Sequence, residues 1–220
     1  GQKTGFYMDQ RENRQLIQKL AKNKTVLDMY CYTGGFSVNA LKGGAKQVIA
    51  VDSSEYAINT ANKNLILNNI NSNSDNDNDN ENANTNKIVF IKDDAITYMK
   101  KLVSEGTQFD MVILDPPKLA PNSKNLKNNG DKIYKKYRMI NTLGMKLVKS
   151  GGIMLSCTCS GAMTNVTSKG LDFQQLLRQV ARDTKRHTKT LQVSGSAMDH
   201  PVNSDFPQGA YLTAVLLHVL

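Results

Sequence analysis

Apolar residues in this chain gather in short runs, separated by amphipathic stretches of helical length. Thr25-Val26-Leu27-Asp28-Met29 is an apolar run with one acid inside it, followed by Tyr30 to Phe36 with the pair Gly34-Gly35 and then by a stretch of helical composition to Leu41. That succession predicts strand, glycine turn, helix. Gly43-Gly44 punctuates the chain before Gln47 to Asp52, a buried-type strand ending in a carboxylate, and Ser54 to Leu67 reads as the next helix. Further strands are predicted at Ile88 to Ile91, Met111 to Leu114 and Ile153 to Cys157, with helices at Ala95 to Val103, Tyr134 to Val148 and Leu171 to Thr184. Thr190 to Val193 and Tyr211 to Val219 supply two closing strands. Strands alternating with helices predict an α/β domain with a mostly parallel sheet covered on both faces.

One segment breaks the alternation. Residues 71–86 are almost wholly Asn, Asp and Ser, with too little apolar surface to offset the entropy of ordering them, and are expected to be a disordered surface insertion. A binding arm is the alternative, although its acids would repel a polyanion. At 220 residues and 40% hydrophobic, residues 1–220 are expected to form one domain.

Charge adds a partner class. Twenty-eight Lys+Arg against nineteen Asp+Glu leave a formal charge of +9, which favours approach to RNA or simply gives a basic soluble surface. The three cysteines, Cys31, Cys157 and Cys159, have no spacing that suggests a disulfide framework, and Cys-x-Cys is not a common zinc pair; a reducing compartment and no metal are expected. No apolar run reaches the roughly 20 residues that span a bilayer, and no signal-peptide pattern opens the chain, so no membrane association is expected.

Candidate chemistry sits at the predicted strand ends. Tyr32-Thr33-Gly34-Gly35-Phe36 occupies the first strand-to-helix turn, where a parallel sheet does its closest ligand work; glycines there allow close backbone approach, or simply a tight connection. Asp52, about twenty residues on, is positioned for both ribose hydroxyls of a nucleoside. The turn is neither G-x-G-x-x-G nor a P-loop, so a phosphate-free adenosine cofactor, S-adenosylmethionine (SAM), fits best. Asp94 is placed to meet the adenine amine or to cap the following helix. Asp115-Pro116-Pro117-Lys118 sets a carboxylate and two rigid prolines at the mouth of the pocket. Beyond the strand ending at Cys157, alternation puts Cys157 and Cys159 on one side, and a thiolate there would be favoured by Lys118; a buried inert cysteine is the other reading.

Together these residues resemble the bacterial large-subunit (23S) ribosomal RNA cytosine-5 methyltransferases that carry an N-terminal PUA domain, a branch of the class I SAM-dependent methyltransferases. The likeness rests on Gly1 to Arg14, Tyr32 to Phe36, Asp115 to Lys118, Ser156 to Gly161 and Asp199-His200-Pro201-Val202. It implies a Rossmann-like catalytic domain with an antiparallel C-terminal strand. It implies SAM contacts from Lys3, Phe6, Asp9, Gln10 and Arg11 in the opening segment. Asp28, Tyr32, Thr33, Gly34, Gly35, Phe36, Asp52, Ser53, Asp94, Ala95, Asp115 and Pro116 would complete that pocket, with S-adenosylhomocysteine as the product. Pro117, Lys118, Tyr137 and His200 would face the substrate, with Asn141 beside Tyr137 and His200 bracing a loop. Two departures stand out: a PUA-type domain upstream of Gly1 is absent from the chain, and residues 71–86 interrupt a normally short connection. The insertion resembles the asparagine-rich tracts of proteins from AT-rich protozoan genomes, which implies a eukaryotic source and the cytoplasm or an organelle, mitochondrion or plastid, as compartment. A homodimer is left open.

The chemistry the resemblance implies is covalent. Cys159 adds to carbon 6 of cytosine, carbon 5 then takes the methyl group, and Asp115 hydrogen-bonds the base. Arg11, Arg14, Lys118, Lys135, Lys136 and Arg138 are candidate phosphate contacts. Two rivals remain: an RNA methyltransferase acting on a purine nitrogen, which needs no cysteine, and a non-catalytic RNA- or nucleoside-binding module.

Overall fold

The computed structural model describes residues 6–70, 87–119, 123–160, 163, 172–206 and 209–220, with the side chains of 123–131 outside that description. The insertion at 71–86 and the opening residues, Lys3 among them, lie outside the described residues.

A single 3-10 turn, Met8–Gln10, leads into α1 (Arg11–Leu20). Then follow β1 (Thr25–Met29), α2 (Gly35–Lys42), β2 (Gln47–Asp52), α3 (Glu55–Leu67), β3 (Lys87–Lys92), α4 (Ala95–Ser104) and β4 (Phe109–Leu114). The chain closes with α5 (Ser123–Leu147), β5 (Val148–Thr158), α6 (Phe173–Asp183), β6 (Thr188–Ser194) and β7 (Thr213–Val219).

The strands form one seven-stranded sheet in the order β3-β2-β1-β4-β5-β7-β6. β3, β2, β1, β4 and β5 pair in parallel, whereas β7 runs antiparallel to both β5 and β6. Alternation of side chains distributes the apolar residues to two layers. Leu27, Met29, Val112, Leu114, Val215 and Leu217 pack with α4, α5 and α6, while Val26, Met111, Ile113 and Leu216 pack with α1, α2 and α3. A helix layer on each face follows directly from strands that are apolar on both sides.

The predicted β1 and β2 match the structure residue for residue. Two regions differ. α1 was not among the predicted helices, because its Arg, Asn and Gln content masks the apolar set Leu16, Ile17, Leu20 and Ala21, whose spacing covers one helix face. α5 begins eleven residues before the predicted Tyr134, in an Asn- and Lys-rich stretch for which no element was predicted.

Connections run outward from β1 to β3 and then return to β4 on the other side of β1. The reversal therefore lies between β1 and β4, and a crevice opens beyond their carboxyl ends. Among the described residues no helix is long and apolar enough to cross a membrane, and no group of three or more His, Cys, Asp or Glu is placed to hold a metal.

Candidate active site

Asp28 is the only acid within β1, and it is fully buried. Ser37 in α2 donates to its Oδ2 at 2.6 Å, while Oδ1 has no partner among the described residues. Burial drives its carboxyl up to about 7 despite that hydrogen bond. Past β1 the backbone takes positive φ at every second residue: Tyr30 +63°, Tyr32 +48° and Gly34 +78°. Two tyrosines in the left-handed region store strain at a strand end, as functional sites often do. The turn's amides are engaged within the protein. Cys31 N donates to Val51 O and Gly34 N to Cys31 O; Tyr32 N donates to Asp52 Oδ2 at 2.9 Å. The other Asp52 oxygen accepts from Ser54 N, so this carboxylate ties the first strand-to-helix turn to the second.

The glycines have protein neighbours as their reason. A Cβ on Gly34 would meet the Ala61 Cβ at 3.1 Å and the Phe90 ring at 3.3 Å, and one on Gly35 would meet Arg14 at 3.1 Å. Their absent side chains admit α3, β3 and α1.

Over this turn lies a small, open cleft with an enclosed volume of about 30 Å³. Phe6, Gln10, Tyr32, Thr33, Gly35, Phe36 and Asp115, all predicted from sequence, line it together. Tyr7, Arg14, Tyr30 and Cys31 line it as well. Arg14 is buried, its guanidinium 4.3 Å from the Phe6 ring centroid and donating to Tyr7 O at 2.7 Å, which removes it from the phosphate contacts expected of it. Tyr7 in turn packs edge-on to Tyr32.

Asp115 follows β4 at the cleft's far side. Gln10 donates to its Oδ1 at 3.1 Å, and burial together with Asp9 pushes the carboxyl up to about 7. Cys159 follows the adjacent β5 and is half-buried, whereas Cys31 and Cys157 are buried. Burial first and Asp115 second lift the Cys159 thiol to about 11; Lys118 favours the thiolate as expected but is outweighed. Cys157 is an apolar-core residue with its thiol held well above the usual range by burial.

A sequence model of the S-adenosylmethionine-dependent methyltransferase family matches residues 1–217. This chain belongs to the S-adenosylmethionine-dependent methyltransferases. It is 39% identical over 220 residues to ribosomal RNA large subunit methyltransferase I of Vibrio parahaemolyticus, and 35% identical over 220 residues to that of Cronobacter sakazakii. All of the chain is covered in both, against 50% of each relative, so it spans about half their length. In fold it is similar to a putative SAM-dependent methyltransferase from Streptococcus mutans, at 23% identity and a TM-score of 0.76, covering 99% of this chain and 50% of that one. A putative methyltransferase solved in complex with SAH gives 0.73 at 22% identity, covering 97% and 50%.

The donor set fits the cofactor of a SAM-dependent methyltransferase. Asp52, Asp94 and Asp115 stand at or just past strand ends, Asp28 within β1 has a buried oxygen lacking any described partner, and Arg14, the one basic residue among the described residues lining the cleft, is engaged with Tyr7 O and the Phe6 ring. An ammonium, ribose hydroxyls and an adenine amine are what such acceptors take; a phosphate is not.

The remaining predicted residues of this methyltransferase lie at varying distances from the cleft. Asp94 caps α4, accepting from Thr97 N at 2.8 Å and Thr97 Oγ1 at 2.9 Å; it stands exposed before the buried Ala95, and Ser53 is exposed past β2. Asp9 is buried, with Tyr211 donating to its Oδ2 at 2.6 Å. Arg11 pairs outside with Asp199 at 2.8 Å, and Asp199 also binds His200 Nδ1 at 3.0 Å, so His200 braces a loop. Pro116 is buried, while Pro117, Lys118, Lys135 and Lys136 are exposed. Arg138 is committed to Asp183 at 2.7 Å.

Two residues expected at the substrate wall are core instead. Tyr137 is fully buried, stacked edge-on with Phe173, and its hydroxyl accepts from Thr158 Oγ1 at 2.9 Å. Asn141 is buried too, donating to Tyr137 O and accepting from Ser156 Oγ. Both pin α5 under the end of β5 and so fix where Cys159 emerges. Sequence reading missed Tyr7, Tyr30 and Cys31 as cleft residues, although all three flank motifs it had singled out.

Proposed function

We propose that this methyltransferase forms 5-methylcytosine in large-subunit ribosomal RNA through a covalent Cys159 adduct. The observation that carries the reading is the pairing of a half-exposed Cys159 with Asp115 at the carboxyl ends of adjacent strands, beside the cleft. The relatives are named as large-subunit ribosomal RNA methyltransferases, and the +9 charge suits a polyanionic substrate.

Phe6, Tyr32, Thr33 and Asp52 hold the cofactor, with Asp28 beneath and Asp94 at the rim. When bound, that cofactor supplies an electrophilic methyl group. A cytosine enters unpaired or flipped out, at a cost of a few kcal/mol when it comes from a stem. Asp115, titrating near neutral pH, gives a proton to the pyrimidine N3 as the Cys159 sulfur forms a bond to carbon 6 and the thiol proton passes to solvent water. The electron pair displaced from the 5,6 double bond makes carbon 5 the nucleophile that takes the methyl group. Solvent water takes the carbon-5 proton, the freed electron pair re-forms the 5,6 double bond as the carbon–sulfur bond breaks, the thiolate leaves and is reprotonated from solvent, and N3 returns its proton to Asp115.

The test is to incubate the chain with methyl-labelled SAM and ribosomal RNA, digest the RNA and identify the labelled nucleoside by mass. Label in 5-methylcytidine is expected, and its loss in Cys159→Ala. Label in a purine, retained in Cys159→Ala, would overturn the covalent route.

A further inference from the structure

We infer that Gln10 is a positioning residue for Asp115, held in its donating orientation by Asn13 and, through Asn13, by Ser194 on the far side of the sheet order. The inference rests on Asp115 acting on the base, as proposed above.

An amide has one donating end and one accepting end, and nothing in Gln10 alone decides which faces Asp115. Its surroundings decide. Gln10 Oε1 accepts from Asn13 Nδ2 at 2.6 Å, and Asn13 Oδ1 accepts from the Ser194 hydroxyl at 2.6 Å. Gln10 and Asn13 are 3% and 2% exposed, so water does not substitute for these contacts. Turning the Gln10 amide over would set its carbonyl against the Asp115 carboxylate and its NH2 against the NH2 of Asn13. Turning Asn13 over would set its carbonyl against the Gln10 carbonyl and break the contact that holds the Gln10 amide.

The relay runs from the hydroxyl at the end of β6, through α1 and the 3-10 turn, to the carboxylate after β4, and its polarity is set at the carboxylate, which only accepts when charged. It joins residues 181 and 105 positions apart. Two consequences follow for Asp115. A hydrogen bond donated to a carboxylate favours its charged form, so Gln10 opposes burial and the charge of Asp9, both of which favour the acid. With Oδ1 held by Gln10, Oδ2 is the oxygen left for the pyrimidine. The resemblance assigns Gln10 to the cofactor; the geometry commits both ends of its amide to protein partners.

The experiment is a ¹³C NMR titration of the aspartate carboxyls in the whole chain, without cofactor or RNA, with Asp115→Asn assigning the Asp115 signal. Melting temperatures are recorded in parallel. Gln10→Met keeps the volume and removes the donor, and the Asp115 midpoint is expected to rise by about one pH unit. Asn13→Ala frees the amide to turn over and is expected to give a smaller rise. Ser194→Ala, at a half-buried position that tolerates the change, gives the smallest rise in the same direction. Lower melting temperatures with an unmoved Asp115 midpoint would make the relay a structural tie only and overturn the inference, as would a fall in the midpoint. The titration is read in the free protein, so it can fail while 5-methylcytidine still forms. It can equally succeed when label goes to a purine.

Discussion

The two ends of the cleft are held by different kinds of contact. At the β1 and β2 end, Asp28 is met by Ser37 nine residues away, Asp52 by Tyr32 twenty residues away and Ser54 two away. At the β4 and β5 end, Asp115 is met by Gln10 across 105 positions and Asp9 by Tyr211 across 202. The carboxylate contacts of the first end lie within two consecutive strand-helix units, with Phe6 and Arg14 of the opening segment packed over them. The second exists only when the two ends of the chain close over the sheet. Carboxylate contacts built locally and a reacting end built by chain closure are expected to respond differently to the same perturbation.

The largest expected effect tests the local end through pH. Asp28 titrates near its ordinary 3.8 when unfolded and about 7 when folded. The folded state therefore binds more protons between those values, and stability falls as pH rises from about 4 to about 7. Asp115 contributes a parallel slope in the same window. In urea denaturation, Asp28→Asn is expected to shrink the loss of stability between pH 4.5 and 7.5 by about 2–4 kcal/mol, roughly half of the combined effect. An undiminished slope would show that Asp28 is charged in the fold.

At the other end, Cys159 offers a chemical reading. With its thiol at about 11, the thiolate fraction at pH 8 is about 100-fold below that of an unperturbed cysteine, and higher intrinsic nucleophilicity recovers about tenfold of it. Iodoacetamide should label Cys159 about tenfold more slowly than a free thiol at pH 8, with the rate still climbing beyond pH 10. Asp115→Asn removes a charge that disfavours the thiolate and is expected to speed labelling. No acceleration would separate the two groups that the proposed reaction pairs.

Backbone strain gives the next effect. Gly34→Ala places a methyl group at φ +78° and 3.1 Å from the Ala61 Cβ, and is expected to cost about 2 kcal/mol in equilibrium unfolding. Because the disturbance is local, Cys159 labelling should stay unchanged. The smallest effect belongs to the exterior. Arg11→Met breaks an exposed ion pair with Asp199 and should leave the melting temperature unmoved, since solvated pairs contribute little.

The same division explains how much could be read from the chain. Strand β1, the glycine turn and Asp52 follow from apolar runs, punctuation and spacing, all of which act over short distances, and the structure gathers most of those residues about one cleft. Asp115 and Cys159 were legible as strand-end residues, because a carboxylate or thiol after a buried strand has few other places to be. What pattern could not show is which distant groups meet them. Tyr137 and Asn141 follow the Asp-Pro-Pro-Lys segment as a substrate wall would, yet the α5 helix turns both into the core beneath β5. Lys118 carries the right sign for activating Cys159, but burial and the Asp115 charge outweigh it. α1 escaped notice because its Asn13 and Arg14 are buried polar residues, satisfied by Tyr7 O and Gln10 nearby and, for Asn13, by Ser194 across the chain.

The central claim is that Cys159 bonds to a cytosine ring, and a trapped adduct tests it most directly. In RNA carrying 5-fluorocytidine, carbon 5 has no proton to lose after methyl transfer, so elimination stalls and the carbon–sulfur bond persists. With SAM present, the account predicts a protein–RNA species that survives denaturing electrophoresis, maps to Cys159 by peptide mass and is absent in Cys159→Ala. Undiminished turnover on that RNA with no such species, or an adduct that survives Cys159→Ala, would contradict it.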